Sequence, residues 1–228
     1  MKTNIIPKVI HYCWFGKKPL PALAVKCIQS WRTYFPDYEI KEWNEDNFDV
    51  NAIAYTREAY KAMKYAFVSD YVRFWSLYHY GGLYFDVDVE VIRPMDHIIS
   101  RGAFMGFENN GIESDDMADS YLGVNPGLGL GAPANMNIYK TIIEYYQSES
   151  FYTPEGKCNL TTVVTRVTDL LISKGLQQTN QLQEVEGIVV YPHEYFCPIR
   201  TTDSQMNITA KTVSIHHYAA SWTTTTHR

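Results

Sequence analysis

Apolar residues recur at helical spacing between Pro21 and Phe35, at Leu23, Cys27, Ile28 and Trp31, and the flanking segments PKVIHYCWFG and YEIKEW are short apolar runs of β character. The chain therefore opens as β-α-β, its first strand running into a loop at Gly16 and Pro19. The spacing predicts a helix from Asn51 to Lys64, with Asn51 as N-cap, and another from Ala66 to Tyr80 that stops at Gly81-Gly82. Directly afterwards the period changes to two. Leu83, Phe85, Val87, Val89 and Val91 fall on one face of a predicted strand, and Tyr84, Asp86, Asp88 and Glu90 on the other. FMGFE reads as a further strand, the acidic stretch after it has no period, and YLGVNPGLGLGAP reads as surface loops around a short strand. Helices are predicted at Met136 to Gln147 and Thr161 to Lys174, and strands at Ile188 to Tyr191 and Thr212 to Tyr218. Strands alternating with helices imply an α/β fold with a largely parallel sheet, whose ligands collect beyond the carboxyl ends of the strands. Trp14 and Asp86 would both stand at that edge.

A chain of 228 residues with no repeat and no linker fits one domain over positions 1–228. The net charge of -5 leaves no basic footprint for nucleic acid, and 18 tyrosines suit a polar, aromatic-lined cleft. Pro7, Lys8 and His11 interrupt the opening segment, which reads neither as a signal peptide nor as a spanning helix, so a cytoplasmic protein is expected. Cys13, Cys27, Cys158 and Cys197 lack any CxxC spacing, which predicts reduced, mostly buried thiols. Gly123, Gly127, Gly129 and Gly131 do not follow a phosphate-loop order.

The acidic pair changes the picture. Two carboxylates side by side in an otherwise apolar strand repel each other unless a cation sits between them. Hard carboxylate oxygens favour Mg²⁺ or Mn²⁺, ions that take few protein ligands and bridge substrate phosphates, so Asp86 and Asp88 point to a diphosphate substrate. Asp70 and Arg73, three apart on an unusually apolar helix, are expected to pair beside a cleft and to clamp sugar hydroxyls. Trp14, at the end of the first strand, suits a stacking platform for a flat base. In SIHHYAASW, His216, His217, Ser221 and Trp222 form one run; strand alternation lets only one histidine face the metal.

Taken together, IPKVIHYCWFG, AFVSDYVRFWSLYHYGGLYFDVDV and IHHYAASW resemble glycosyltransferase family 32, the DXD-containing group that includes capsular-polysaccharide transferases, fungal α-mannosyltransferases and, more distantly, glucosylating bacterial toxins. The resemblance implies a fold of GT-A type, Rossmann-like for nucleotide-diphospho-sugars, and a metal-dependent, anomer-retaining hexosyl transfer from a UDP- or GDP-sugar to a glycan or lipid-linked glycan. It further implies that Trp14 stacks on the base, Asp70 and Arg73 hold the donor sugar, and Tyr84 lies against the nucleotide. By the same resemblance Asp86 contacts ribose and sugar, Asp88 ligates the metal, and His216 with Ser221 and Trp222 closes over the diphosphate. Peripheral work at the inner face of a membrane is compatible with this reading. A metal-dependent phosphohydrolase or nucleotidyltransferase also needs paired carboxylates, and a noncatalytic carbohydrate-binding module would suit the tyrosine content.

Overall fold

The computed structural model describes residues 5–111 and 121–219. Strand β1 (Val9–Cys13) pairs in parallel with β2 (Glu39–Trp43) and with β3 (Gly82–Tyr84). Two short strands, β4 (Val89–Val91) and β5 (Phe104–Gly106), follow in the chain, and β6 (Leu130–Ala132) inserts antiparallel between β3 and β5. Near the far edge β7 (Gln183–Val185) lies antiparallel to β8 (Ile188–Tyr191), which runs parallel to β5. The order across this seven-stranded sheet is β2-β1-β3-β6-β5-β8-β7. Strands β1, β2, β3, β5 and β8 share one direction while β6 and β7 oppose it, so the expected mainly parallel α/β sheet is present. A second sheet of two strands joins β4 antiparallel to β9 (Ser214–His216).

Side-chain alternation feeds two cores, one on each face of the main sheet. Cys13, Tyr84, Met105, Ile188 and Val190 join one, covered by α2 (Ala54–Lys61), α3 (Tyr65–Tyr80), α5 (Asn137–Ser148) and α6 (Val163–Ser173). Ile10, Tyr12, Leu83, Phe104, Val189 and Tyr191 enter the other, beneath α1 (Ala22–Tyr34) and α4 (Asp96–Ile99). Trp31 of α1 is fully buried and donates its indole N–H to the Val89 carbonyl at 2.7 Å, while Ser30 Oγ accepts the Val91 N–H at 2.9 Å. Those two bonds hold β4 on the helix and satisfy backbone groups that would otherwise be buried unpaired.

Several boundaries differ from the sequence reading. Asn51 is not the N-cap of α2: its N–H donates to Asp49 Oδ1 at 2.9 Å in an Asx turn, and the helix starts after Ile53. The stretch read as surface loops around a short strand contributes β6, which lies in the interior of the sheet, and its Gly131 admits no side chain because a Cβ there would lie 2.4 Å from the Phe104 ring. The last predicted strand shortens to Ser214–His216. All four cysteines are free, and only Cys158 is less than fully buried. No helix among the described residues is long and apolar enough to cross a membrane.

Candidate active site

Helix α3 ends because Gly81 takes φ 65°, and Gly82 then brings β3 so close to β1 that a Cβ would lie 2.5 Å from the Val9 carbonyl oxygen. β3 is short. Phe85 N–H still reaches His11 O at 3.2 Å, but Asp86 C=O accepts from Val89 N–H at 3.0 Å and closes a turn. The acidic pair therefore lies on the turn between β3 and β4, not within a strand as predicted. Its parity survives that correction: Leu83, Phe85, Val87, Val89 and Val91 all join one core, and Tyr84, Asp86 and Asp88 stand on the opposite side. Glu90 leaves the group and pairs instead with Lys26 at 2.8 Å and His217 at 2.9 Å.

The β4–β9 ladder sets Val89 opposite His216, and this brings the imidazole to the turn. His216 Nε2 lies 3.3 Å from Asp88 Oδ1 and 3.9 Å from Asp86 Oδ2. Asp88 is oriented by the Ala219 N–H, which donates to Oδ2 at 2.8 Å, and its carbonyl accepts the His217 N–H at 3.0 Å. The alternation left open in the sequence is thus resolved for His216, with His217 turned to Glu90. Asp86, Asp88 and His216 are the one group of side chains among the described residues with metal-holding geometry, one ligand atom from each lying within 4.8 Å of the others. Two carboxylate oxygens and one imidazole nitrogen fit a hard or borderline divalent ion, Mg²⁺ or Mn²⁺. Burial disfavours the charged imidazole, but Asp86, Asp88 and Glu108 outweigh it and hold the His216 pKa above its ordinary value. A cation is what this cluster of negative charge stabilises.

Behind the turn, Arg73 bridges two carboxylates. Its Nη2 lies 2.9 Å from Asp70 Oδ1 and 3.5 Å from Asp86 Oδ1, and its guanidinium stacks over the Tyr84 ring at 4.9 Å. Tyr84 donates its hydroxyl to Asp86 Oδ1 at 3.0 Å. Asp70 and Arg73 side chains are 9% and 4% exposed, so the pair expected beside a cleft is enclosed. One guanidinium serves two acids unequally. Burial works against the Asp86 carboxylate, yet Arg73, His216 and Tyr84 pull its pKa below the usual value. For Asp70 burial prevails over Arg73, and its pKa is pushed up to about 7. Cys13, beneath Arg73 and Tyr84, is kept a thiol by burial, its pKa pushed up to about 12.

Trp14, at the end of β1, is half-buried and donates its indole N–H to Lys18 O at 2.6 Å. Together with Lys17, Lys18, Glu42, Asn44, Glu45 and Asp46 it lines a cleft. Ser221 and Trp222 lie outside the described residues.

Other members of the site had no sequence signal. Gly127 packs against the turn so closely that a Cβ would lie 2.2 Å from Asp86 Oδ2, and Asp86 N–H donates to Gly127 O at 3.3 Å. Asn125 accepts the Gly127 N–H at 2.6 Å and donates to Glu108 Oε1 at 2.7 Å. Tyr218 packs edge-on against His216, with ring centres 4.2 Å apart, and its hydroxyl reaches Glu108 Oε1 at 3.3 Å. Burial raises the Glu108 pKa against the opposing effects of Asn125, His216 and Tyr218. Arg166, on α6, is caged by the rings of Tyr55, Tyr145 and Tyr146 at 5.7, 5.2 and 5.6 Å and eases the charge of Asp70. Such long-range neighbours are visible only once the chain is folded.

Residues 21–105 match the family described as "Glycosyltransferase sugar-binding region containing DXD motif". The chain is similar to inositol phosphoceramide mannosyltransferase 1 of Schizosaccharomyces pombe, 29% identical over 111 residues, or 44% of this chain. It is also similar to inositol phosphoceramide mannosyltransferase 3 of the same yeast, 30% identical over 119 residues, or 48% of this chain. The matched stretch spans 33% of the length of each of these relatives. Among solved structures, a glycosyltransferase involved in the glycosylation of the major capsid of PBCV-1 aligns over 95% of both chains, at 11% identity and a TM-score of 0.49.

Proposed function

We propose that this chain is a metal-dependent, retaining hexosyltransferase that takes a sugar from a nucleotide diphosphate, UDP- or GDP-linked, and passes it to a glycan hydroxyl. One observation carries the reading: Asp86, Asp88 and His216 converge at the carboxyl end of β3, beside the end of β1 and in front of the Asp70–Arg73 pair. In this reading positions 1–228 act as one domain. Asp88 and His216 would hold Mn²⁺ or Mg²⁺, Asp86 would contact the ribose and the sugar, and Arg73 fixes Asp86 from behind. When bound, the ion supplies positive charge to the diphosphate as the anomeric C–O bond breaks. Trp14 offers its face to the base in the cleft with Asn44. Tyr84 keeps Asp86 in place by its hydroxyl, and the Asp70–Arg73 pair gives the sugar hydroxyls an acceptor and a donor at fixed geometry. Ser221 and Trp222 complete the diphosphate side. The acceptor, glycan or lipid-linked glycan, approaches from the cytoplasmic side of a membrane or from solution.

The names of the yeast relatives make mannose the first donor to test. Calorimetric titration of GDP-mannose, UDP-glucose, UDP-galactose and their N-acetyl forms, each with and without Mn²⁺, should find one donor whose binding needs the ion. Asp88→Ala should abolish that binding and the transfer while the thermal midpoint stays near the parent's. Full transfer in the presence of EDTA, or release of free sugar with no transfer to any acceptor, would overturn the proposal.

A further inference from the structure

The contacts about the acidic turn close into a ring. Asp86 meets Gly127, Gly127 N–H is held by Asn125, Asn125 donates to Glu108, Glu108 accepts from Tyr218, Tyr218 packs on His216, and His216 returns to Asp86 and Asp88. Asp86, Asp88 and His216 have a role in the proposal above, and Glu108 has none. Its carboxylate is held by one oxygen alone: Oε1 accepts from both Asn125 Nδ2 and Tyr218 Oη. Oε2 has no hydrogen-bond partner among the described residues, and no lysine, arginine or histidine there forms a salt bridge with the group. Gly123 lies beside that oxygen, a Cβ at this position standing 3.4 Å from Oε2.

A carboxylate oxygen whose direction two neighbours fix through its twin, and that no donor among the described residues reaches, is free to accept from a ligand. The hydrogen-bond donors that a glycosyl-transfer substrate offers are its hydroxyls. We infer that Glu108 is a substrate-binding residue whose Oε2 accepts a hydrogen bond from a sugar hydroxyl, with Asn125 and Tyr218 fixing its direction. The inference rests on the glycosyl-transfer reading and deepens it. The hydroxyl belongs either to the donor hexose or to the acceptor, and the chemistry at Oε2 is the same.

The test compares the parent with Glu108→Gln, which keeps an oxygen for Asn125 and Tyr218 but replaces Oε2 by an amide that donates. Binding of GDP and GDP-mannose with Mn²⁺, or of whichever nucleotide and sugar nucleotide the parent prefers, is measured by calorimetry. Transfer is then measured to a panel of simple glycosides. If the donor supplies the hydroxyl, Glu108→Gln binds GDP as the parent does and loses roughly tenfold or more of the added affinity for GDP-mannose, the scale of one charge-assisted hydrogen bond. If the acceptor supplies it, donor binding is unchanged and the acceptor KM rises by a similar factor. Tyr218→Phe, which frees Oε1 from one of its two holders, should give a smaller loss in the same constant. Equal constants for parent and Glu108→Gln overturn the inference, as does a uniform fall in every constant together with a lowered melting temperature. A parent that binds no sugar nucleotide with Mn²⁺ defeats the underlying glycosyl-transfer reading instead, so the two failures are distinguishable.

Discussion

His216 Nε2 stands 3.3 Å from Asp88 Oδ1 because the β4–β9 ladder pairs His216 with Val89, the next residue along from Asp88. His217, its neighbour in sequence, bonds to Glu90 on the other side of the same ladder. His216→Ala should weaken Mn²⁺ binding by at least about tenfold, the lower end of what disturbing a metal site's surroundings costs. His217→Ala should leave it near the parent value. Titration of both variants with Mn²⁺ decides the matter, and equal effects would refute the assignment of His216 as the ligand.

Arg73 is the cation that Asp70 and Asp86 share, and it is buried. Arg73→Met leaves Asp70 enclosed without its partner, which should cost about 3–5 kcal/mol of unfolding free energy. The double variant Asp70→Asn, Arg73→Met removes the stranded acid and should regain part of that loss. Urea unfolding of the parent, both single variants and the double variant gives the coupling directly. A double variant no more stable than Arg73→Met would mean that the guanidinium matters for packing against Tyr84 and not for charge.

Much of this site is legible along the chain because its parts lie on elements with strong local signals. The helix that carries Asp70 and Arg73 has a clear apolar period and a glycine stop, so their three-residue spacing translated into a 2.9 Å ion pair. The strand reading of Asp86 and Asp88 failed at the backbone yet kept the right faces, since Val87 and Val89 are buried whether the segment runs straight or turns. What stayed hidden depends on sequence-distant pairing. β6 carries Gly131 where a strand ordinarily carries a branched residue, because Phe104 and Leu83 occupy the space that its side chain would fill. The role of Gly127 depends on a similar close approach at Asp86, and Glu108 lies just past β5 with its partners Asn125 and Tyr218 coming from the segment before β6 and from the chain beyond β9.

Gly127→Ala isolates that close approach. No positive φ is involved, so the backbone tolerates alanine, but the new methyl would stand 2.2 Å from Asp86 Oδ2 and 2.9 Å from Asn125 Oδ1. The Asp86 carboxylate must move. Metal-dependent donor binding should fall several-fold or more while the melting temperature changes little. Gly123→Ala makes the opposite expectation, because its Cβ would press on Val164 of α6 at 2.7 Å and disturb packing first. Thermal melts beside donor titrations separate the two, and a Gly127→Ala protein with parental donor affinity would remove Gly127 from the site.

His11 supplies a prediction about pH. The imidazole is fully buried between β1 and its neighbours, with Nε2 2.9 Å from Gly81 O and Nδ1 accepting the Trp43 indole N–H at 3.1 Å. That bond to Nδ1 requires the neutral ring, since a protonated Nδ1 would oppose the indole donor. Burial, with Lys41 adding to it, lowers the pKa to about 4 despite the bond to Gly81. In the unfolded chain the ordinary value is about 6.5. Between those values the unfolded state binds more protons than the folded one, so the contribution is complete above about pH 6.5 and is lost as pH falls towards 4. A shift of this size corresponds to roughly 3 kcal/mol. His11→Asn should be less stable than the parent at pH 7, and the gap should narrow steadily on acidification, because the variant lacks the titrating group while every other ionisable residue cancels in the comparison. Urea unfolding of both proteins at pH 7, 5.5 and 4.5 measures the gap. A difference that stays constant over that range would show that His11 takes up its proton alike in the folded and unfolded chain, and that the bond from Trp43 does not hold the ring neutral.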